Sequence, residues 1–237
     1  MNVAGITEMW DRLTGTQPDP SRWLVGATAL LALAAVLTRS VWHVVRNAVT
    51  IAHEGGHGLI ALLTGRRLDG IRLHSDTSGL TVSRGKPRGL GMVLTAAAGY
   101  TAPPLLGLAG AALLAAGHIT ALLWGATALL LVMLVMIRNA YGALTVVVTA
   151  AVFLLVSWLT KAQVQAAFAY LVVWFLLAGG ARPVAELQRT RLRDRSGSSD
   201  ADQLGRLTHT PAALWLLLFY AVALCSLVGG ARWLLLQ

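Results

Sequence analysis

The sequence predicts an all-α polytopic membrane protein with about six to seven transmembrane helices and one small β-hairpin. Of its 237 residues, 56% are hydrophobic and only 12% are charged, against about 25% charged in soluble domains. The apolar residues form long runs, and roughly 20 apolar residues are enough for a helix to cross a bilayer. We therefore expect one membrane-embedded domain over residues 23–237, after an N-terminal segment 1–22.

The predicted spans follow the apolar runs, and the second of them also carries polar residues. Hydropathy underrates that second run because three histidines, an arginine, an asparagine and a glutamate lie within it. Length and composition predict spans over residues 23–37, 41–63, 90–116, 119–137, 141–159, 164–177 and 212–236.

A change of periodicity between the second and third spans predicts the β-hairpin. Residues 70–74 and 79–83 alternate between apolar and polar side chains, and the polar turn Ser75-Asp76-Thr77-Ser78 joins them. A two-stranded hairpin leaves an unpaired edge, which can accept an extended peptide as a further strand. An edge covered by another loop of the protein is the alternative.

Two arginine-rich segments predict the orientation in the cell membrane. Segments 65–88 and 182–211 each carry six Lys or Arg residues, so the positive-inside rule makes both of them cytoplasmic. Alternating the spans then makes the N-terminal segment and Arg138 cytoplasmic, and puts outside the residues 38–40, His118, Lys161 and the C-terminus. The net charge of +9 is explained by these loops, so we expect the bilayer as partner and no nucleic acid.

One motif in the second span points to chemistry. Residues His53-Glu54-Gly55-Gly56-His57 have the pattern H-E-x-x-H, and Glu54 is the one acidic residue inside an apolar run. On a helix, His53 and His57 lie on one face and can share a zinc ion, with Glu54 beside them as general base. An ionisable group at this depth is costly and marks a functional site. The motif predicts hydrolysis by a zinc-activated water towards the cytoplasmic side.

The motif and its surroundings resemble the site-2 proteases, the intramembrane zinc metallopeptidases, and most of all their compact bacterial B-like branch. The resemblance covers roughly residues 41–215. It includes the zinc-binding helix at 50–65, the hairpin, and the stretch Ala97-Ala98-Gly99-Tyr100-Thr101-Ala102-Pro103-Pro104, which is similar to that family's Gly/Pro-broken segment near the metal.

The resemblance implies a zinc metalloendopeptidase with Glu54 as its catalytic residue. Its substrate would be a membrane protein or peptide, cleaved in or near a membrane-spanning segment. Gly99, Tyr100 and Pro103 would contact that substrate. A break in the helix at Gly99 and the two prolines would line a wet cavity.

The third metal ligand has several candidates. The family supplies an aspartate from an Asp-Gly motif, and the corresponding place here holds Asn139, whose amide is a poor zinc ligand. Asp200 and Asp202, before the last span, are carboxylates that could complete a His₂-carboxylate set, and a two-ligand site is the remaining alternative. Two other functions stay open: a catalytically inactive protease-like protein acting as a binding or chaperone module, and a metal-dependent hydrolase of lipid or prenylated substrates.

Overall fold

The regular structure of the described chain is helical apart from one hairpin. The computed structural model describes residues 15–193, 197 and 199–236; of segment 1–22, residues 1–14 lie outside the described residues. The strands are β1 (Arg67–Leu73) and β2 (Gly79–Arg84). The helices are α1 (Arg22–Leu37), α2 (Arg39–Val45), α3 (Asn47–Leu63), α4 (Leu90–Ala115), α5 (Ile119–Met136), α6 (Ala140–Leu159), α7 (Ala162–Gly179), α8 (Ala181–Arg193), α9 (Asp200–Thr208) and α10 (Ala212–Leu235).

Several of these helices are long and apolar enough to cross a membrane. Among the described residues there are five: α4, α5, α6, α7 continued by α8, and α10. The bent pair α1 and α2 makes a sixth if it is counted as one span. The predicted class, an all-α multi-pass membrane protein with a small hairpin after the H-E-x-x-H helix, is confirmed.

The long helix α4 packs against α3, α7 and α10, and α1 packs against α7. The Gln17 N–H donates a hydrogen bond of 2.8 Å to the Gly117 carbonyl, just after α4 ends. At the other end, a Cβ on Gly91 would lie 3.2 Å from the Thr64 Cβ, just after α3. The chain therefore runs antiparallel to α4 through both α1 and α3, with a bend of 98° between α1 and α2.

This course corrects the predicted alternation of the first two spans. The alternation put the N-terminal segment and His118 on opposite sides, yet Gln17 bonds to Gly117 and its Oε1 accepts from the Thr120 N–H at 3.1 Å. It also separated residues 38–40 from Arg182, yet Arg39 and Arg182 line one cavity. In the structure the members of both pairs therefore lie together, because α2 turns aside without reversing the chain.

Small residues allow the helices to approach α4 closely. Lipid tails are as apolar as helix surfaces, so close backbone packing has to supply much of the association energy. A Cβ on Gly56 of α3 would lie 2.9 Å from the Ala98 carbonyl oxygen, and a Cβ on Gly107 would lie 2.9 Å from the Leu177 backbone nitrogen. Larger side chains at these positions would push α3 and α7 away from α4.

The predicted break in α4 is wrong, since the helix continues through Pro103 and Pro104. Both prolines are buried, and Pro104 packs closely against Gly180. Proline has no N–H to donate, so the carbonyls of Gly99 and Tyr100 lose their usual partners four residues on. Membrane helices tolerate such positions where neighbouring helices enclose them.

The predicted hairpin is confirmed, and one of its edges is covered. The strands β1 and β2 are antiparallel, with Ile71 opposite Thr81, and a bulge lies between Leu68 and Gly70. On the outer side of β1, the Arg138 N–H donates to the Ile71 carbonyl at 2.9 Å. The segment before α6 therefore covers the edge of β1. The alternative of a covered edge thus holds for this strand.

The corrected course gives a test of topology. In a Cys225→Ala background, single cysteines replace Asp19, beside the α4–α5 turn, and Ser78, in the hairpin turn. The positive-inside rule predicts that the hairpin is cytoplasmic, so a membrane-impermeant thiol reagent added to intact cells should label the first cysteine and label the second only after permeabilisation. Labelling of both in intact cells contradicts the fold, and the reversed pattern contradicts the orientation.

Candidate metal centre

The two histidines of the motif meet on one face of α3. Their Nε2 atoms are 3.1 Å apart, and the rings are edge to face with centroids 4.7 Å apart. The His57 Nδ1 lies 2.7 Å from the Thr95 carbonyl oxygen on α4. Because a carbonyl can only accept, this contact assigns the proton to Nδ1 and leaves the His57 Nε2 lone pair free for a metal.

Asp200 brings a carboxylate to the two imidazoles. Its Oδ2 is 3.4 Å from the His53 Nε2 and 3.3 Å from the His57 Nε2. Burial alone would raise the pKa of Asp200, but the adjoining imidazoles of His53 and His57 hold that pKa below its ordinary value. The carboxylate is therefore charged at neutral pH.

The local sequence explains how Asp200 reaches the site. Ser199 caps α9 in a capping box with Asp202, which fixes where the helix begins. Ala201 and Leu204 of α9 are fully buried and pack in one apolar cluster with Phe219 of α10. The acidic stretch is therefore a docked amphipathic helix.

Asp202 is turned away from the histidines. Its Oδ1 accepts a hydrogen bond of 2.6 Å from the Arg191 Nη2, and its Oδ2 accepts from the Ser199 backbone N–H at 3.3 Å. The Arg191 guanidinium holds the pKa of Asp202 below its usual range. The two aspartates of the same helix thus have different partners: Asp200 contacts the imidazoles, and Asp202 fixes the helix start.

Asn139 bonds to the hairpin. Its Nδ2 donates to the Leu73 carbonyl at 2.7 Å, and its Oδ1 accepts from the Leu73 N–H at 3.2 Å. These two bonds mimic those of a further strand at the end of β1. Both polar atoms of the amide are therefore occupied by the backbone of one residue.

Glu54 lies between α3 and the hairpin. Its side chain is buried, and the Thr81 hydroxyl donates a hydrogen bond of 2.6 Å to its Oε2. A Cβ on Gly79 would lie 2.5 Å from the Glu54 Oε1. The face of β2 that holds Gly79 and Thr81 therefore covers and orients the glutamate. Alternation in the sequence puts these two residues on one face, but only the fold brings that face to Glu54.

The residues expected to contact substrate differ in their surroundings. Gly99 lies against both imidazoles, and a Cβ there would be 2.5 Å from the His53 Nε2. Tyr100 is edge to face with His53 and stacks on Phe219, with centroid distances of 4.7 and 5.0 Å. Pro103 is buried within α4. Glycine at 99 is thus required by the space that the imidazoles occupy.

A cavity of about 270 Å³ opens beside the two motif residues His53 and Glu54. It extends from them towards the hairpin turn on one side and the junction of α2 and α3 on the other. Its further lining residues are Trp42, Arg46, Val49, Thr50, Thr77, Ser78, Gly79, Tyr100 and Pro183. The general base proposed from the sequence therefore borders space that a substrate can enter.

The three candidate ligands fit a zinc ion. Donor atoms about 2.0 to 2.1 Å from a tetrahedral zinc lie about 3.3 Å from one another. The three distances between the His53, His57 and Asp200 donor atoms are 3.1, 3.4 and 3.3 Å. Two imidazoles and one carboxylate are also a known set for catalytic zinc, which keeps a fourth position open.

Comparison with known proteins identifies the family. A sequence model of the family described as Peptidase M50B-like matches residues 26–230. Neither the curated proteins nor the solved structures give a match. The matched range includes α3 with its motif, the hairpin and α9, and it covers most of the chain. The chain therefore belongs to the Peptidase M50B-like family of site-2 proteases, as the resemblance predicted.

Proposed function

We propose that this protein is an intramembrane zinc metalloendopeptidase that hydrolyses peptide bonds in or near membrane-spanning segments. The observation that carries the proposal is the meeting of His53, His57 and Asp200 at the mutual spacing of zinc ligands. Glu54 of the same motif borders the adjoining cavity. Family membership supports peptide hydrolysis as the reaction.

In this proposal His53, His57 and Asp200 hold the metal, and Asn139 does not. Zinc bound there would polarise the scissile carbonyl and lower the pKa of a bound water towards about 7. The Thr95 carbonyl keeps the His57 proton on Nδ1, which preserves Nε2 as the donor to the metal. The Asn139 amide is engaged with Leu73.

Glu54 acts as the general base and then as the general acid. It accepts a proton from the attacking water and returns it to the amine nitrogen that leaves. The Thr81 hydroxyl donates to the Glu54 Oε2, so it fixes the rotamer and leaves Oε1 as the more available acceptor. Thr81 is a positioning residue for this step.

The free edge of β2 supports an extended substrate. Residues opposite each other in an antiparallel pair alternate between bonded and non-bonded pairs. On β1, Ile71 and Leu73 direct their backbone groups outward to residues 138 and 139, so Thr81 and Gly79, which lie opposite them, direct theirs away from β1. In the described chain no strand pairs with that side of β2.

A peptide added to β2 would pass beside the cavity, because Gly79 lines it together with His53 and Glu54. Strand addition also solves a chemical problem of membrane substrates. An intact helix keeps its carbonyls in its own hydrogen bonds, whereas an extended segment exposes them and gains new partners from the strand edge. The substrate class is therefore a membrane-spanning segment that can unwind locally.

The first test of the proposal is zinc content. Protein purified without chelator should contain about one zinc per chain by elemental analysis, and His53→Ala, His57→Ala and Asp200→Asn should lose it, since each removes a ligand. Glu54→Gln should keep zinc and lose roughly 100-fold or more of the cleavage of a quenched fluorogenic apolar peptide.

Asp202→Asn is the matched control for Asp200→Asn, because it makes the same chemical change two positions away on α9. It should retain zinc. Loss of zinc from Asn139→Ala with retention in Asp200→Asn would overturn the ligand assignment. If the wild-type protein contains no zinc, the assignment as an enzyme is overturned and the alternative of a binding or chaperone module is favoured.

A second test addresses the positioning of Glu54. Thr81→Val removes the hydroxyl at nearly constant volume, so kcat should fall by about tenfold, as for a lost hydrogen bond to a charged group, with zinc content unchanged. Thr81→Ser keeps the hydroxyl and should restore most of the rate. Equal rates for the valine and serine variants would show that this bond does not serve catalysis.

A third test addresses the strand edge. Ser83 follows Thr81 on the outward-facing side of β2, and Ser83→Pro removes its outward N–H at a position where an edge strand tolerates proline. We expect KM for an extended peptide to rise about fivefold, the effect of one hydrogen bond. Ser83→Ala keeps the N–H and is the control. An unchanged KM in the proline variant argues against strand addition.

A further inference from the structure

A second cavity, of about 950 Å³, adjoins the metal-centre cavity and differs from it in charge. The two cavities share Trp42 and Arg46 in their linings. The second cavity lies at the junction of α2, α3 and α8. It is lined by Arg39, Ser40, Trp42, His43, Arg46, Arg182 and Glu186.

One carboxylate organises this cavity. The Glu186 Oε1 accepts from the Trp42 Nε1 at 2.9 Å and from the Arg182 Nε at 3.3 Å. The Glu186 Oε2 lies 3.1 Å from the Arg46 Nη2. Each guanidinium has five N–H donors, so both arginines are held in place with donors to spare.

The cavity keeps a positive charge after this pairing. Its lining contains three arginines and one glutamate, so the formal charges +3 and −1 leave +2, with histidine counted as neutral. The Arg182 guanidinium carbon lies 4.6 Å from the centre of the Trp42 ring, which is buried, so the indole fixes the plane of that guanidinium. No described residue forms an ion pair or hydrogen bond with the Arg39 guanidinium.

The cavity lies where α1 and α7, both parts of candidate spans, come to an end. On α2, Arg39, Ser40 and His43 line the cavity, while Val41 and Val44 are exposed with 41% and 71% of their surface accessible. A short helix with a basic face and an exposed apolar face is typical of the membrane interface.

We propose that this cavity binds the phosphate of an anionic phospholipid, with its acyl chains along the exposed apolar residues of α1 and α2. Arg39, Arg46 and Arg182 supply the donors, since guanidinium groups bind phosphate oxygens in bidentate geometry. The site is independent of the proposed peptidase activity, although a head group there would lie beside the entrance to the metal-centre cavity.

The test uses the full-length chain purified in neutral detergent. Binding of short-chain phosphatidylglycerol is measured by native mass spectrometry against short-chain phosphatidylcholine at equal concentration. Wild-type protein should prefer the anionic lipid. Arg39→Gln should weaken that binding by about fivefold, as expected for one arginine near an anionic lipid, and Arg39→Gln combined with Arg182→Gln should weaken it further. The exposed Arg39 has no partner among the described residues, so its variant should fold.

Arg88→Gln is the matched control, because Arg88 is an exposed arginine ahead of α4 that does not line the cavity. Its binding should equal that of the wild type. Equal affinity for the two lipids, or equal weakening by Arg88→Gln, would overturn the site. Displacement of the lipid by inorganic phosphate at a similar concentration, or by an acidic peptide, would overturn the lipid as its occupant. Zinc content is measured in parallel, so failure of this site and failure of the metal centre are distinguishable.

Discussion

The close approach of α3 and α4 is the constraint on which the rest of the structure depends. Gly56 on α3 faces the backbone of Ala98, and Gly99 on α4 faces both imidazoles. Because lipid provides no hydrophobic force between helices, small residues at this crossing are what permit the contact. The same approach brings the Thr95 carbonyl to the His57 Nδ1. The glycine pattern of α3 and α4 thus sets both the packing of the helices and the orientation of the two imidazoles.

The hairpin orients the buried carboxylate of Glu54. A carboxylate at membrane depth is expensive unless it has partners, and Thr81 of β2 provides a hydrogen bond to Glu54 from the side opposite the bundle. Asn139 and Arg138 fasten the other strand to the start of α6. One strand edge is therefore used for anchoring, and the other has no paired strand in the part of the chain that the structure describes.

Local patterns in the sequence predicted the class of fold, the hairpin, the family and the motif on α3, because each depends on periodicity or spacing over a short stretch. Hydropathy could not predict the bend after α1, since the course of α2 depends on contacts with a distant segment, such as that of Trp42 with Glu186. The continuity of α4 through Pro103 and Pro104 depends on tertiary enclosure. The contacts of Thr81 with Glu54 and of Asp200 with the histidines join distant segments, and no local pattern encodes them.

The proposal of Asp200 rather than Asn139 as a ligand rests on charge and on competing contacts. Two neutral imidazoles and a neutral amide would leave the full double charge of a zinc ion in a buried site, whereas a carboxylate lowers it by one, and burying net charge is costly. The Asn139 amide is also engaged elsewhere, because both of its polar atoms are hydrogen-bonded to the backbone of Leu73 at the end of β1. Placing the carboxylate on α9 moves one proposed ligand out of the spanning helices. Retention of the metal then depends on the docking of α9, through Ala201 and Leu204, against the cluster around Phe219. In this interpretation the basic segment before α9 sets the topology and also delivers a ligand.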